Sequence, residues 1–132
     1  MQGAAVPDPD PTRQWDVVDA FFAAARGGDF DALVAVLDPD VVFRSDGGVA
    51  RPAASAVVRG AENVASGAIR YARPAAVLRP ALVNGAAGVV LTVDGQPFSV
   101  MGFTVTDGKI VAIDVLADPD RLGRLDLAAL DD

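Results

Sequence analysis

Apolar residues recur at helical spacing along the first third of the chain. Trp15, Val18, Phe22 and Ala25 fall on one stripe, with Val17 and Phe21 beside it. A face that wide predicts a well-buried helix running to about Arg26. Asp10 before Pro11 offers an N-cap and a first helical position, and Gly27-Gly28 ends the run. Asp29 then caps a second helix, in which Phe30, Leu33, Val34 and Leu37 keep the i, i+3, i+4, i+7 pattern until Pro39 stops it. Residues 41–45 predict a short strand, Asp46-Gly47-Gly48 a turn, and residues 49–58 an irregular excursion. A third helix over about 61–71 places Val64, Ala68 and Tyr71 on one side.

The second half alternates differently. Asn84-Gly85, Asp94-Gly95 and Asp107-Gly108 are hairpin dipeptides, each flanked by β-branched or apolar runs. They divide residues 75–117 into four successive strands, an antiparallel meander. Pro80 and Pro97 stand near strand starts, where a missing ladder donor is tolerated. Asp118-Pro119-Asp120 opens a short C-terminal helix with Leu122 and Leu125 facing inward. Residues 1–11, with Pro7-Asp8-Pro9-Asp10-Pro11, read as a stiff solvated arm, leaving 12–132 as one domain. Helices lead and the sheet follows, so the class is α+β with helices packed on one face.

Composition removes several chemistries from this frame. The chain has no histidine and no cysteine. A His-based triad, a His-ligated metal, a disulfide and zinc–thiolate chemistry are therefore excluded, and no cofactor or metal site is expected. Acid–base work falls to carboxylates, the single Tyr71 or the single Lys109. A net charge of −7 opposes binding to phosphate backbones. No apolar run approaches the roughly 20 residues that span a bilayer, and the start lacks a signal-peptide pattern, which fits a cytoplasmic location.

Arg26-Gly27-Gly28-Asp29-Phe30-Asp31-Ala32-Leu33, then Leu37-Asp38-Pro39-Asp40-Val41, resembles the helix–helix–strand opening of the nuclear transport factor 2-like superfamily. Asp107-Gly108-Lys109-Ile110-Val111 resembles its final hairpin. The resemblance covers about residues 13–118 and implies a cone of three helices on a curved, mainly antiparallel sheet around an apolar cavity. Within the superfamily, the SnoaL-like extensions of extracytoplasmic-function sigma factors are the most similar. Asp46-Gly47-Gly48, Val58-Arg59-Gly60-Ala61-Glu62 and Val83-Asn84-Gly85-Ala86-Ala87-Gly88-Val89 carry that likeness. So does Asp118-Pro119-Asp120-Arg121-Leu122, in place of a terminal Asn-Pro-Asp-Lys-Leu motif. Val49 departs from the pattern, where a further Gly and a Lys are usual, and Asp118 stands in for Asn. This narrower resemblance implies a regulatory or small-molecule-sensing domain without catalysis of its own. Its partners would be sigma-factor regions, or RNA polymerase through them.

The same resemblance tests enzymatic readings. An isomerase of this superfamily places an Asp base at the end of the first strand and a Tyr donor on the first helix. Those positions hold Ser45 and Phe21 here. Phenylalanine donates no hydrogen bond, and a lost oxyanion donor typically costs ~100- to 1,000-fold in rate. The epoxide hydrolases need an Arg-x-Asp pair on the penultimate strand, and residues 96–106 contain neither Arg nor Asp. The alternative that survives is a cyclase- or isomerase-type enzyme using Asp114 or Asp46. Asp114 sits in an apolar strand and would serve as acid or base only if buried in the cavity; facing solvent or paired with Arg, it is structural. Asp46 before two glycines is a turn former first.

Trp15, Phe22, Phe43, Ser45, Tyr71, Met101 and Phe103 are candidate pocket residues for a small apolar ligand, although large apolar side chains are core by default. Asp46, Gly47, Gly48, Asp118, Pro119, Asp120 and Leu122 are candidate partner contacts, the glycines admitting a partner's backbone and the aspartates receiving Arg or Lys. Residues 96–106 carry apolar or small side chains on both faces. Phe98, Val100, Gly102 and Thr104 alternate with Ser99, Met101, Phe103 and Val105, so a homodimer through the outer face of the sheet is expected.

Overall fold

Pro11 starts the first helix, and extended backbone at Leu37 ends the second. In the computed structural model, residues 11–48, 55–70, 77–83, 86–93 and 96–118 are described. In chain order they form α1 (Pro11–Gly27), α2 (Phe30–Val36), β1 (Leu37–Asp46), β2 (Ala56–Arg59) and α3 (Ala61–Arg70). Then come β3 (Val77–Val83), β4 (Ala86–Val93), β5 (Gln96–Thr106) and β6 (Lys109–Leu116). The Asp29 carboxylate caps α2 by accepting from the Ala32 N–H at 3.1 Å, satisfying one of the orphan donors of a helix start. Lys109 closes the other end of this region, its Nζ donating to the Ala35 carbonyl at 2.7 Å.

Two expectations change here. Pro39 does not stop α2; the helix has already ended at Val36, and Pro39 lies inside β1. The residue before a proline avoids the helical region, so Asp38 is extended in advance. Pairing between β1 and β6 is interrupted between Leu37 and Val42, so the missing proline N–H falls where the ladder is broken. Residues 56–58, expected as part of an irregular excursion, belong to strand β2, which pairs antiparallel with β1 from Val42↔Arg59 to Ser45↔Ala56. Four residues are too few to show a period.

The six strands lie in the order β2-β1-β6-β5-β4-β3. β3 to β6 form the expected antiparallel meander. β6 then lies parallel to β1, with Phe43↔Ile113 and Ser45↔Val115 in register. The dipeptides at 84–85 and 94–95 lie outside the described residues. Their flanking strands nevertheless pair as Val83↔Ala86 and Val93↔Gln96. At the third turn Asp107 and Gly108 have φ of 53° and 75°, the two positive angles of a type I′ hairpin. Tyr71 and the expected C-terminal helix lie outside the described residues.

The helices cover one face of the sheet. Val18, Phe21, Ala24 and Ala25 of α1, Leu33 of α2, and Val64 and Ala65 of α3 share a core with Val41, Val89, Phe103, Val105, Ile110 and Ile113. Each large buried side chain there contributes about 1.5–3 kcal/mol relative to exposure. The rings of Phe21, Phe22 and Phe103 meet edge to face at centroid distances of 5.3, 5.7 and 5.7 Å, the arrangement their quadrupoles favour. No helix among the described residues is long and apolar enough to cross a membrane.

The opposite face behaves differently from the sequence expectation. Val90 and Val100 pair across β4 and β5 and are only 2% and 7% exposed within the single chain. Val100 is therefore not an open apolar surface. The side chain of Phe98 lies outside the described part. Among the described residues, the exposed large apolar side chain on this face is Val57, at 59%.

Candidate functional site

Strand alternation decides which candidates face the helices. Val41, Phe43 and Ser45 of β1 point to the core side, and Val42, Arg44 and Asp46 to the other. Phe43 aligns across the sheet with Ile113 and Phe103, and Ser45 with Val115 and Met101. Phe43, Met101 and Val115 are half-buried against the core, as are Trp15 and Phe22 of α1, while Phe103 is buried within it. Five of the seven candidate pocket residues, Trp15, Phe22, Phe43, Ser45 and Met101, are thus half-buried on the inner side, with Phe103 beneath.

Two polar residues of the interior carry no motif in the sequence. Gln14 is 7% exposed, and its amide oxygen accepts from the Ala87 N–H at 3.1 Å. That bond ties the start of α1 to β4. Ser99, on the inner side of β5 beside Leu91, is 6% exposed. Among the described residues these two are the buried polar side chains, and neither ionises. A Gln and a Ser amid apolar neighbours give no periodic signal, which is why only packing exposes them.

The candidate acids take other positions. Asp114 is exposed on the outer face, aligned with Arg44 of β1 and Gly102 of β5. The condition that would have made it an acid or base, burial in a cavity, is not met. Asp46 is likewise exposed, and its Oδ1 accepts from the Gly48 N–H at 2.8 Å. This is an Asx turn.

That turn is the centre of the second candidate region. Gly47 is buried and donates its N–H to Ser55 Oγ at 3.1 Å, while the Asp46 carbonyl accepts from the Ala117 N–H at 2.7 Å. β1 and β6 are parallel neighbours, so the segments leaving their two ends meet. Gly48 has φ +65°, and a Cβ there would stand 2.5 Å from Cγ and Oδ2 of Asp118. The reason for glycine at position 48 is therefore inside the chain. It admits the carboxylate of Asp118, where the sequence suggested that it would admit a partner's backbone. The structure brings Asp46, Gly47, Gly48 and Asp118 into one junction and adds Ser55, which the sequence did not single out. Pro119, Asp120 and Leu122 lie outside the described residues. Chemically the junction brings together two carboxylates, Asp46 of the turn and Asp118 just after β6. Among the described residues no group of three or more acidic ligands is placed to hold a metal.

Three helices on one face of a curved mixed sheet, with a half-buried apolar inner side, define the nuclear transport factor 2-like fold. An NTF2-like protein from Burkholderia xenovorans LB400 superposes with a TM-score of 0.59, 22% identity, and coverage of 94% of this chain and 100% of that one. An LEH-like epoxide hydrolase of Mycobacterium tuberculosis gives 0.53 at 22% identity, covering 88% of this chain and 90% of that one. At that identity both show the fold alone. No family model matches the chain.

The chain is homologous to part of an extracytoplasmic-function RNA polymerase sigma factor. It is 35% identical over 126 residues to SigJ of Mycobacterium tuberculosis H37Rv, a match covering 86% of this chain and 40% of that protein. The crystal structure of SigJ superposes with a TM-score of 0.65 and 32% identity, over 86% of this chain and 44% of that one. The chain thus spans about two fifths of the length of the relative it matches.

Proposed function

We propose that this chain is a regulatory domain of the sigma-factor-associated SnoaL-like kind, without catalysis of its own, acting in the cytoplasm. The observation that carries this is the 35% identity to SigJ across 86% of the chain. The chemistry agrees. Every described carboxylate is exposed or half-buried, so among the described residues no buried acid supports the isomerase-type alternative. The junction of Asp46, Gly47, Gly48 and Asp118 is the contact surface for basic side chains of sigma-factor regions, through which RNA polymerase is reached. The half-buried side chains Trp15, Phe22, Phe43, Ser45 and Met101 receive a small apolar ligand that biases this contact.

The test is a binding titration with sigma regions supplied in trans. Asp46→Asn with Asp118→Asn removes both charges while keeping the turn's acceptor oxygen. Binding is expected to weaken about tenfold or more, with the thermal midpoint unchanged, as for loss of a charge-assisted contact. Undiminished binding by the folded double variant overturns the reading. Ligand entry is followed by fluorescence of Trp15, the single tryptophan.

A further inference from the structure

One aligned row on the outer face of the sheet runs Asp46, Leu116, Val100, Val90, Arg79 across β1, β6, β5, β4 and β3. Its two ends are exposed, whereas Leu116 is half-buried and Val100 and Val90 are 7% and 2% exposed within the single chain. Gly88, two residues from Val90 on the same face, is buried as well. The helices α1 to α3 do not account for this, because they share their core with Val89, Phe103 and Ile113 of the other face. Side chains of neighbouring strands stand beside a residue, not over it. Near-complete burial of a sheet face therefore takes a further layer. That layer comes from the same chain.

We propose that residues 119–132, which follow β6 and lie outside the described residues, supply it by folding back over Leu116, Val100 and Val90. Connectivity favours this stretch. The chain leaves β6 at Leu116, the first apolar member of the row. Reach is sufficient, since β6 to β3 is roughly 14 Å at three strand spacings, and residues 120–130 as a helix extend roughly 16 Å. Leu122, Leu125 and Ala129 fall at i, i+3, i+7, with Leu130 beside them, which gives that helix an apolar face. Charge order agrees. Arg121 and Arg124 come first and Asp126, Asp131 and Asp132 last, so a path from β6 toward β3 sets them against Asp46 and Arg79 respectively. Asp120 is the exception in the first half, and Arg44 and Asp114 beside Asp46 offset one another. The other candidate stretches fit less well. Residues 49–54 and 71–76 each bridge two described elements, and residues 1–10 lead into the helical layer through Pro7, Asp8, Pro9 and Asp10. The covering segment closes this row to a second copy, in place of the dimer through the outer face expected from the sequence. This placement does not depend on the regulatory reading.

Photo-cross-linking of the full chain tests it. The chain has no cysteine, so one introduced cysteine takes a benzophenone label at a single place. Arg79→Cys puts the label at the β3 end of the row, and Asp19→Cys puts a control label on exposed α1. After illumination and trypsin digestion, the label at 79 should be joined to the peptide 125–132 in chains of monomer mass. The label at 19 should not be. Leu122→Asp with Leu125→Asp should lower the yield from 79 about tenfold or more, as for the loss of two buried leucines. Leu125→Ser alone takes its place if circular dichroism shows the strands disturbed. Absence of the 79 adduct with 125–132 in the otherwise unaltered chain overturns the proposal. So does its appearance only at dimer mass, which makes a second copy the cover, or attachment of the label to residues 1–10 instead. An undiminished adduct in the folded leucine variant overturns it equally.

Discussion

Gly48 and Gly108 show how one residue type meets two requirements. Both have positive φ, 65° and 75°. A Cβ at Gly108 meets nothing within 4 Å, whereas one at Gly48 meets the Asp118 carboxylate at 2.5 Å. Gly108 is there for its backbone angle alone, and Gly48 for its angle and its lack of a side chain. Gly48→Ala is therefore expected to cost about 2 kcal/mol in urea unfolding, from the left-handed conformation and the contact together. Asp118→Ala removes the obstruction, so the double variant should lose about 1 kcal/mol less than the sum of the singles. Strict additivity would show that Asp118 does not occupy that space in solution. The glycines of this turn were legible as turn formers because Asp-Gly-Gly is turn chemistry. Their closeness to Asp118 was not, because residues 70 positions apart are joined only by the pairing of β1 with β6.

Among the elements, those with internal signals were legible and those defined by a neighbour were not. α1 and α2 announce themselves by periodicity and by the Asp29 cap, and the last hairpin by its Asp-Gly dipeptide. Gly108→Ala should lower stability by about 1 kcal/mol, and Gly108→Asn should recover most of it, since asparagine tolerates the left-handed region. Thermal unfolding of the two variants checks this. Equal losses from Ala and Asn would mean that the angle is not what the position requires. β2 gave no such signal. Its Ala-Val-Val-Arg becomes a strand because Val58 can pack inward beside Phe43 while β1 supplies the ladder partners.

For the molecule as a whole, exposed charges of both signs lie on both layers. Asp16, Asp19, Asp31 and Glu62 share the helices with Arg13, Arg26 and Arg70, and Arg44, Arg59, Arg79 and Lys109 share the strands with Asp40, Asp46 and Asp114. With a net charge of −7, the chain alone should not bind DNA by releasing counterions. A fluorescent duplex titrated at low salt, where electrostatic binding is strongest, should show no micromolar affinity. A saturable micromolar isotherm would mean that the arginines of the sheet outweigh the overall field. The charge sum was legible from composition, but the alignment of Arg44 with Asp114 was not, because which strands become neighbours and in what register is set by the tertiary fold.

What the sequence by itself determined were the local features: helix spans, caps, turn chemistry, the meander, and the absence of histidine and cysteine chemistry. Each depends on residues within a few positions of one another, where sterics and periodicity act directly. The tertiary structure decided everything that depends on register and on distant pairing. It put Asp114 outside beside Arg44, carried Gln14 to the Ala87 N–H, covered Val100 within the chain and left Val57 open. It also seated Asp118 against Gly48. The physical reason is the two-residue period of a strand. A side chain's face reverses with a shift of a single position, and which strands become neighbours is settled by closing long loops around a shared core, not by any short stretch of chain.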